Sequence, residues 1–224
     1  MKQAYFVTGT DTGVGKTLIA SALVYQFAQQ GLQAVGMKPV AAGCELIDGQ
    51  LVNEDVTQLI AASNVQAPHQ LVNPYAFTPP IAPHIAGQQV GETISLDTIA
   101  EAFVQLGELA DVVIVEGAGG FCVPLNDSAT MADLAVKLDI PVVLVVGMRL
   151  GCINHALLTA EAIQSRGLKL AGWIANQLDT EMAVFEENIA SLKLRIHSPY
   201  LGLVSWSTEP SYQHVPTLTE KLFA

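Results

Sequence analysis

Apolar positions along the chain alternate between two spacings. Residues 4–8 form a short apolar run that reads as a buried strand. Residues 17–30 switch to helical spacing, with Ile19, Ala22, Leu23 and Phe27 on one face, and Gly31 sits where a C′ glycine ends a helix. Residues 33–40 read as a second strand and 53–62 as a short helix. Further on, Ser95 is placed to N-cap a helix that turns Ile99, Ala102, Phe103 and Leu106 inward. Residues 112–116 are an apolar strand closed by a carboxylate, and Thr130 is placed to cap a helix over 131–138. A buried strand at 141–146 leads to a helix over 152–166, with Ile153, Ala156, Leu157, Ala160 and Ile163 on one side and Gly167 as its stop. A strand at 170–175, a helix at 181–196 with Phe185, Ile189 and Leu192 in register, and a strand at 201–206 complete the pattern. Near-continuous apolar strands separated by helices predict a mostly parallel sheet covered on both faces.

The rhythm breaks at residues 64–94. Five of the eleven prolines fall there: Pro68, Pro74, Pro79, Pro80 and Pro83. Such a segment inside a compact domain is either functional, as a lid over a site, or an ordered surface excursion. There is no internal repeat and no low-complexity tract.

Composition narrows the function. At 224 residues the chain is expected to form one α/β domain over 1–224, and a hydrophobic content of 50% excludes disorder. Ten Lys and Arg against 21 Asp and Glu give a net charge of −11, which argues against a nucleic-acid or acidic-membrane partner. A few lysines set among glycines can still bind a small polyphosphate, because local backbone dipoles dominate there. No apolar run reaches membrane-spanning length. The N-terminus runs directly into a strand and a glycine loop without a signal-peptide pattern. Cys44, Cys122 and Cys152 are widely spaced, which suggests reduced thiols in the cytoplasm and gives no zinc pattern.

The strongest chemical signal is Gly9-Thr10-Asp11-Thr12-Gly13-Val14-Gly15-Lys16-Thr17, between a strand and a helix. In that context a Gly-Lys-Thr ending reads as a phosphate loop rather than a plain glycine turn. Backbone N–H groups around Gly13 and Gly15 would wrap phosphate oxygens, with the helix dipole adding attraction. Lys16 would meet the outer phosphates and the Thr17 hydroxyl would ligate Mg²⁺. The first glycine, Gly9, stands one place earlier than in the plain motif. Asp11 occupies the place where Min/Par ATPases carry a second lysine, which disfavours a dimerising switch of that type. The fold expected is therefore an α/β P-loop NTPase fold.

Ligands of open α/β sheets lie beyond the C-terminal strand ends. Three charged residues are placed there. Lys38 precedes Pro39 after the second strand; taken alone it is equally an ordinary surface lysine, but it stands opposite the phosphate loop. Asp55 lies in the first turn of the next helix, where it either joins Thr17 around Mg²⁺ or only complements the helix dipole. Glu116 ends its strand before four small residues, Gly117 to Gly120, which leaves space for a ligand. The helix start at Gly151-Cys152-Ile153-Asn154 reads as a carboxylate receiver or as simple capping. Asn176 ends another strand and reads as a nucleobase contact or as a turn residue. His155 and Cys152 make no convincing nucleophile pair.

Taken together, the phosphate loop, Lys38-Pro39-Val40-Ala41, Asn73-Pro74-Tyr75, Pro83-His84, Val115 to Gly120, Gly151 to Ala156 and Gly172 to Asn176 resemble the dethiobiotin synthetase family. The resemblance runs from the first strand to about Trp206. It implies the substrates 7,8-diaminononanoate, CO₂ and ATP with Mg²⁺, and a cytoplasmic homodimer. It implies ATP binding by Gly13, Val14, Gly15, Lys16, Thr17, Leu18, Asp55, Glu116, Gly117, Ala118, Gly119, Asn176, Gln177, Ser205, Trp206 and Ser207. Thr17, Asp55 and Glu116 would surround the metal. Lys16 and Lys38 would carry the chemistry. Lys38 and the helix start at Gly151, Cys152, Ile153 and Asn154 would bind substrate, the latter across the dimer interface. Two positions depart from the family pattern. Gly13 stands where some members have a glutamate, and Ala42 where a serine often contributes a hydroxyl, worth about 0.5–1.5 kcal/mol. The readings that compete are a Min/Par-like ATPase switch with a protein partner, a cobyrinate-type amide synthase lacking room for a glutaminase domain, and a nucleotide-binding protein without catalysis.

Overall fold

Six parallel strands define the architecture, and their C-terminal ends all point to one edge. The structure is a computed structural model and describes residues 1–222; residues 223–224 of the expected domain lie outside it. In chain order, β1 (Gln3–Gly9) leads through the glycine loop into α1 (Lys16–Gln29), then β2 (Ala34–Met37). The chain next forms β3 (Val40–Ala42), a hairpin of β4 (Glu45–Ile47) and β5 (Gln50–Val52), and α2 (Glu54–Ala62). The proline-bearing segment carries α3 (His69–Val72), β6 (Tyr75–Phe77) and α4 (Pro83–Val90). Then follow α5 (Leu96–Leu109), β7 (Val112–Gly120), α6 (Met131–Leu138), β8 (Val142–Met148), α7 (Cys152–Ser165), β9 (Leu170–Gln177), α8 (Phe185–Arg195) and β10 (Tyr200–Val204).

The sheet order is β10-β9-β8-β1-β7-β2. Alternation along β1 shows why both faces need cover. Ala4 and Phe6 enter one core cluster with residues of α5, α6 and α7, while Tyr5 and Val7 enter another with Ile19, Leu23 and Phe27 of α1. Each strand therefore buries side chains on both sides, the physical reason its sequence reads as an apolar run. Three helix starts carry side-chain caps, those at Ser95 and Thr130 as the sequence predicts and a third at Asn53, which the sequence places inside its helix. Asn53 caps α2, Ser95 caps α5, and Thr130 closes a reciprocal capping box with Asp133 on α6.

Several expectations about elements are corrected. The second strand does not run over 33–40 but stops at Met37. Pro39 lacks an N–H, and the Lys38 N–H turns away to donate to the Val72 carbonyl at 2.8 Å, so residues 40–42 pair with β6 in a separate two-stranded sheet. The 64–94 segment is ordered by these short elements, and residues 45–52 form a hairpin that periodicity does not reveal. Glu116 does not end its strand: β7 continues through the four small residues, and Gly120 pairs with Gly9 of β1. The helix expected from 181 begins at Phe185, because Val184 adopts a left-handed conformation, φ 49°, at its N-cap. The last strand ends at Val204, where pairing with Asn176 ends, so Ser205 and Trp206 lie beyond the sheet. No helix among the described residues is long and apolar enough to cross a membrane.

Candidate active site

Parallel register decides which charges meet. Val7 of β1 stands opposite Glu116, and Met37 of β2 stands opposite Val115. One residue past Met37 is Lys38, so the register delivers its ammonium to the Glu116 carboxylate. Lys38 Nζ donates to Glu116 Oε1 at 2.5 Å and to Asp55 Oδ2 at 2.8 Å. Thr17, in the first turn of α1, donates its hydroxyl to the same Glu116 oxygen at 2.8 Å. Lys38 is 4% exposed and Glu116 1%. The other carboxylate oxygen, Glu116 Oε2, is buried and has no hydrogen-bond partner among the described residues.

Burial works against both charges, and the pair resolves that in different ways. For Lys38, burial lowers the ammonium pKa, but Glu116 and Asp55 together outweigh burial and hold it above the ordinary lysine value. Burial pushes Glu116 up, with Lys38 pulling back. Asp55 also feels burial, but Lys38 keeps its carboxyl below the usual range. The site is thus a fixed ammonium between two carboxylates, one deep and one partly open to solvent.

Lys16 lies on the other side. It is 7% exposed, and its pKa falls to about 8, first because of burial and then because of the nearby Lys38 charge. Its Nζ donates to the Asp11 carbonyl at 2.9 Å, so within the loop the ammonium is parked on backbone. The helix it opens has no side-chain cap: Gly15 at the N-cap is left-handed, φ 89°. The first N–H groups of α1 are therefore available to an anion. A Cβ on Gly15 would also fall 2.2 Å from Asn176 Nδ2, so the side chain is excluded on two grounds.

Two cavities flank this loop. One, about 720 Å³, is lined by Lys16, Lys38, Asp55 and Glu116 on its charged side. Val40, Ala42, Val123 and the stretch Pro80 to Pro83 supply an apolar wall. The second, about 280 Å³, is lined by Leu18, Asn176, Gln177, Ser205, Trp206 and Ser207, and adds Gln58, Leu178 and Pro210. Gly13, Gly15 and Thr17 border both. A triphosphate on the loop would reach from one into the other.

Most of the residues singled out in the sequence meet at this loop. Ala118 and Gly119 border the larger cavity. Val14 is buried, and it contributes a carbonyl that accepts from Asn176 Nδ2 at 2.9 Å. That bond leaves Asn176 Oδ1 as the atom able to meet a base. Gly117 packs against Phe6 rather than lining either cavity. Gly151 to Asn154 stand apart. They form the N-terminus of α7, uncapped by any side chain, and line neither cavity. The Pro80–Pro83 wall was legible only as an irregularity, and Gln58 and Pro210 carried no sequence signal. The ion pair between Asp11 and Arg149 was also missed, since 138 residues separate its partners.

A hard cation held together with phosphate oxygens suits this donor set. Thr17, Asp55 and Glu116 offer only oxygens, and the orphaned Glu116 Oε2 is a buried acceptor in need of a partner. No group of three or more His, Cys, Asp or Glu side chains among the described residues could hold a metal unaided.

Comparison with known proteins decides the family. A family model described as an AAA domain matches residues 3–212. The ATP-dependent dethiobiotin synthetase of Nitrosospira multiformis is 51% identical over 98% of this chain and 96% of its own length. That of Aromatoleum aromaticum is 54% identical over 90% of each. The chain belongs to the ATP-dependent dethiobiotin synthetase family. Among solved structures, a ParA family ATPase from Chlorobium tepidum matches with a TM-score of 0.52 at 12% identity, covering 100% of this chain and 90% of that one. A MinC:MinD cell division complex from Aquifex aeolicus matches with 0.52 at 13%, covering 98% and 85%. At such identities these likenesses show the shared P-loop fold alone. Membership in the synthetase family rests on the sequence relatives and places the charged cluster in an ATP-dependent ligase family.

Proposed function

We propose that this chain, acting as one P-loop domain, makes the ureido ring of dethiobiotin from 7,8-diaminononanoate, CO₂ and ATP. The observation that carries the reading is the buried Lys38 ammonium facing Lys16 in a cavity with one charged side and one apolar side. An aliphatic diamine needs the apolar wall, and the anions made from it need the cations.

The reaction runs in three steps. One amine attacks CO₂ to form a carbamate and releases a proton. A carbamate oxygen then attacks the γ-phosphorus of ATP, the bond to the β-phosphate oxygen breaks, and ADP leaves. The second amine attacks the carbonyl of the resulting carbamic–phosphoric anhydride, expels phosphate and closes the ring, losing its proton. No covalent enzyme nucleophile is required.

Carbamate and triphosphate repel each other, and the chain's task is to bring them together. Lys16 neutralises the outer phosphates, and Lys38 holds the carbamate close to the γ-phosphate. Glu116 and Asp55 keep Lys38 protonated and fixed, so it cannot itself compete as an amine. Thr17, Asp55 and Glu116 would hold Mg²⁺, which when bound supplies positive charge to the triphosphate. Asn176 Oδ1 accepts from the adenine amino group in the smaller cavity, beside Gln177, Ser205, Trp206 and Ser207. The Pro80–Pro83 wall limits water near the reacting phosphoryl group. The uncapped N-terminus of α7, Gly151 to Asn154, receives the substrate carboxylate from the site of a second copy in a homodimer. Its separation from both cavities supports that arrangement.

The test is a product assay with ATP, Mg²⁺, bicarbonate and 7,8-diaminononanoate, read by mass spectrometry. Dethiobiotin formed one for one with ADP and phosphate is expected, and Lys16→Ala should abolish it. ATP hydrolysis with no ring-closed product would overturn the proposal in favour of an ATPase switch.

A further inference from the structure

The phosphate loop contains a carboxylate of its own. Asp11 lies between β1 and α1, five residues before Lys16. A negative side chain in a loop built to receive a polyanion opposes that task unless its charge is cancelled. The Asp11 carboxylate is clasped by the Arg149 guanidinium. Asp11 Oδ1 also accepts from the Thr12 N–H at 2.7 Å, and the Asp11 carbonyl carries Lys16. One residue thus orients the loop backbone, anchors the phosphate-binding lysine and carries the unwanted charge.

Arg149 sits at the end of β8, in the turn where its carbonyl accepts from the Cys152 N–H at 2.9 Å. Thr10 ties the same two segments together, receiving the Gly147 N–H on its hydroxyl at 3.3 Å. The guanidinium is therefore delivered by the strand next to β1, not by a free-swinging loop. Thr12, whose N–H Asp11 holds, borders the larger cavity, and the Asp11 charge acts on Lys16 within it, while Arg149 itself lines a separate cavity with Asp179 and Trp206.

We propose that Arg149 is a positioning residue for nucleotide binding: it neutralises Asp11 and so lets the loop accept a triphosphate while Asp11 keeps the loop backbone in place. The inference deepens the reading of this site as an ATP site and rests on it. Arg149 acts through Asp11 and not by touching phosphate itself. This makes a specific pattern of variants. Arg149→Met leaves a bare carboxylate beside the polyanion and should weaken ATP binding about five- to tenfold at low ionic strength. The loss should shrink for ADP, shrink again for AMP, and fade as salt rises. Arg149→Lys keeps the charge and should bind nearly as the parent does. Asp11→Asn placed on top of Arg149→Met removes the unpaired charge and should restore most of the affinity.

The measurement is calorimetric titration of ATP, ADP and AMP with Mg²⁺ into the parent, the two Arg149 variants and the double variant. Both side chains are close to half exposed, so none of these changes opens the core, and thermal unfolding would verify that. Unchanged ATP affinity in Arg149→Met would overturn the proposal. So would a double variant as weak as Arg149→Met, because Arg149 would then be touching phosphate directly. A parent protein that binds no ATP would overturn the ATP-site reading, and this inference with it.

Discussion

Removing the Lys38 ammonium should destabilise the protein in a way that depends on pH. Consider Lys38→Met, which keeps the length of the side chain and deletes its charge. Glu116, 1% exposed, then has lost its one ion-pair partner among the described residues, with Lys16 acting only at longer range, and keeps one short hydrogen bond, from Thr17. Breaking a buried pair by removing one partner costs about 3–5 kcal/mol. For a chain of this size that is a drop of about 6–20 °C in Tm. The sign of the pH dependence follows from Glu116. Burial already raises its folded pKa, and losing Lys38 removes the main influence pulling it down. Above that raised value the folded protein must bury a bare carboxylate and bears the whole penalty. As pH falls through it, folded Glu116 takes up a proton and the penalty shrinks. Below the ordinary carboxylate value, near 4.5, both states are protonated and the charge contributes nothing. The variant should therefore be weakest relative to the parent at pH 8 and recover toward pH 5. Lys38→Met/Glu116→Gln should be more stable than Lys38→Met at pH 8. Urea unfolding of the three proteins at intervals from pH 5 to pH 8 is the assay. A stability loss in Lys38→Met that is equal at every pH would refute the electrostatic account, and so would no loss at pH 8.

Three further outcomes are expected. Because the Lys16 pKa is lowered to about 8 and bound phosphate would raise it, ATP affinity should fall above pH 8, about tenfold per pH unit until the bound value is reached. Calorimetry in buffers of different ionisation enthalpy should show proton uptake on binding, absent in Lys16→Ala. Gly15→Ala forces a side chain into a left-handed position and displaces Asn176 from the Val14 carbonyl, so unfolding should show a loss of about 2 kcal/mol or more, and nucleotide titration a loss of binding. Thr130→Ala opens the capping box on α6 at a residue that lines neither cavity, and should cost about 0.5–2 kcal/mol in denaturant unfolding while leaving product formation intact.

Where local chemistry sets the structure, the sequence is legible. The phosphate loop follows from its glycines and the strand and helix on either side. Gly31 ends α1, Thr130 starts α6, and the apolar runs at β1, β7 and β8 declare a two-sided parallel sheet, because each signal lies within about ten residues. Lys38, Asp55 and Glu116 stand out as charges at strand and helix ends. Their meeting is another matter. Lys38 and Glu116 are 78 residues apart, and only the register of β2 on β7 makes them a pair. Asn176 reads as a base contact or a turn residue, and that its amide donates to the Val14 carbonyl appears only once β9 is laid beside β8. Val184 gives no warning that it will turn left-handed and delay α8. Arg149 carries no signal at all until β8 is laid beside β1 and its guanidinium closes on Asp11. Periodicity and capping are properties of neighbouring residues, so the order of elements and the place of the loop were fixed one segment at a time. Register, burial and charge pairing belong to segments brought together from far along the chain, and only the folded sheet decides them.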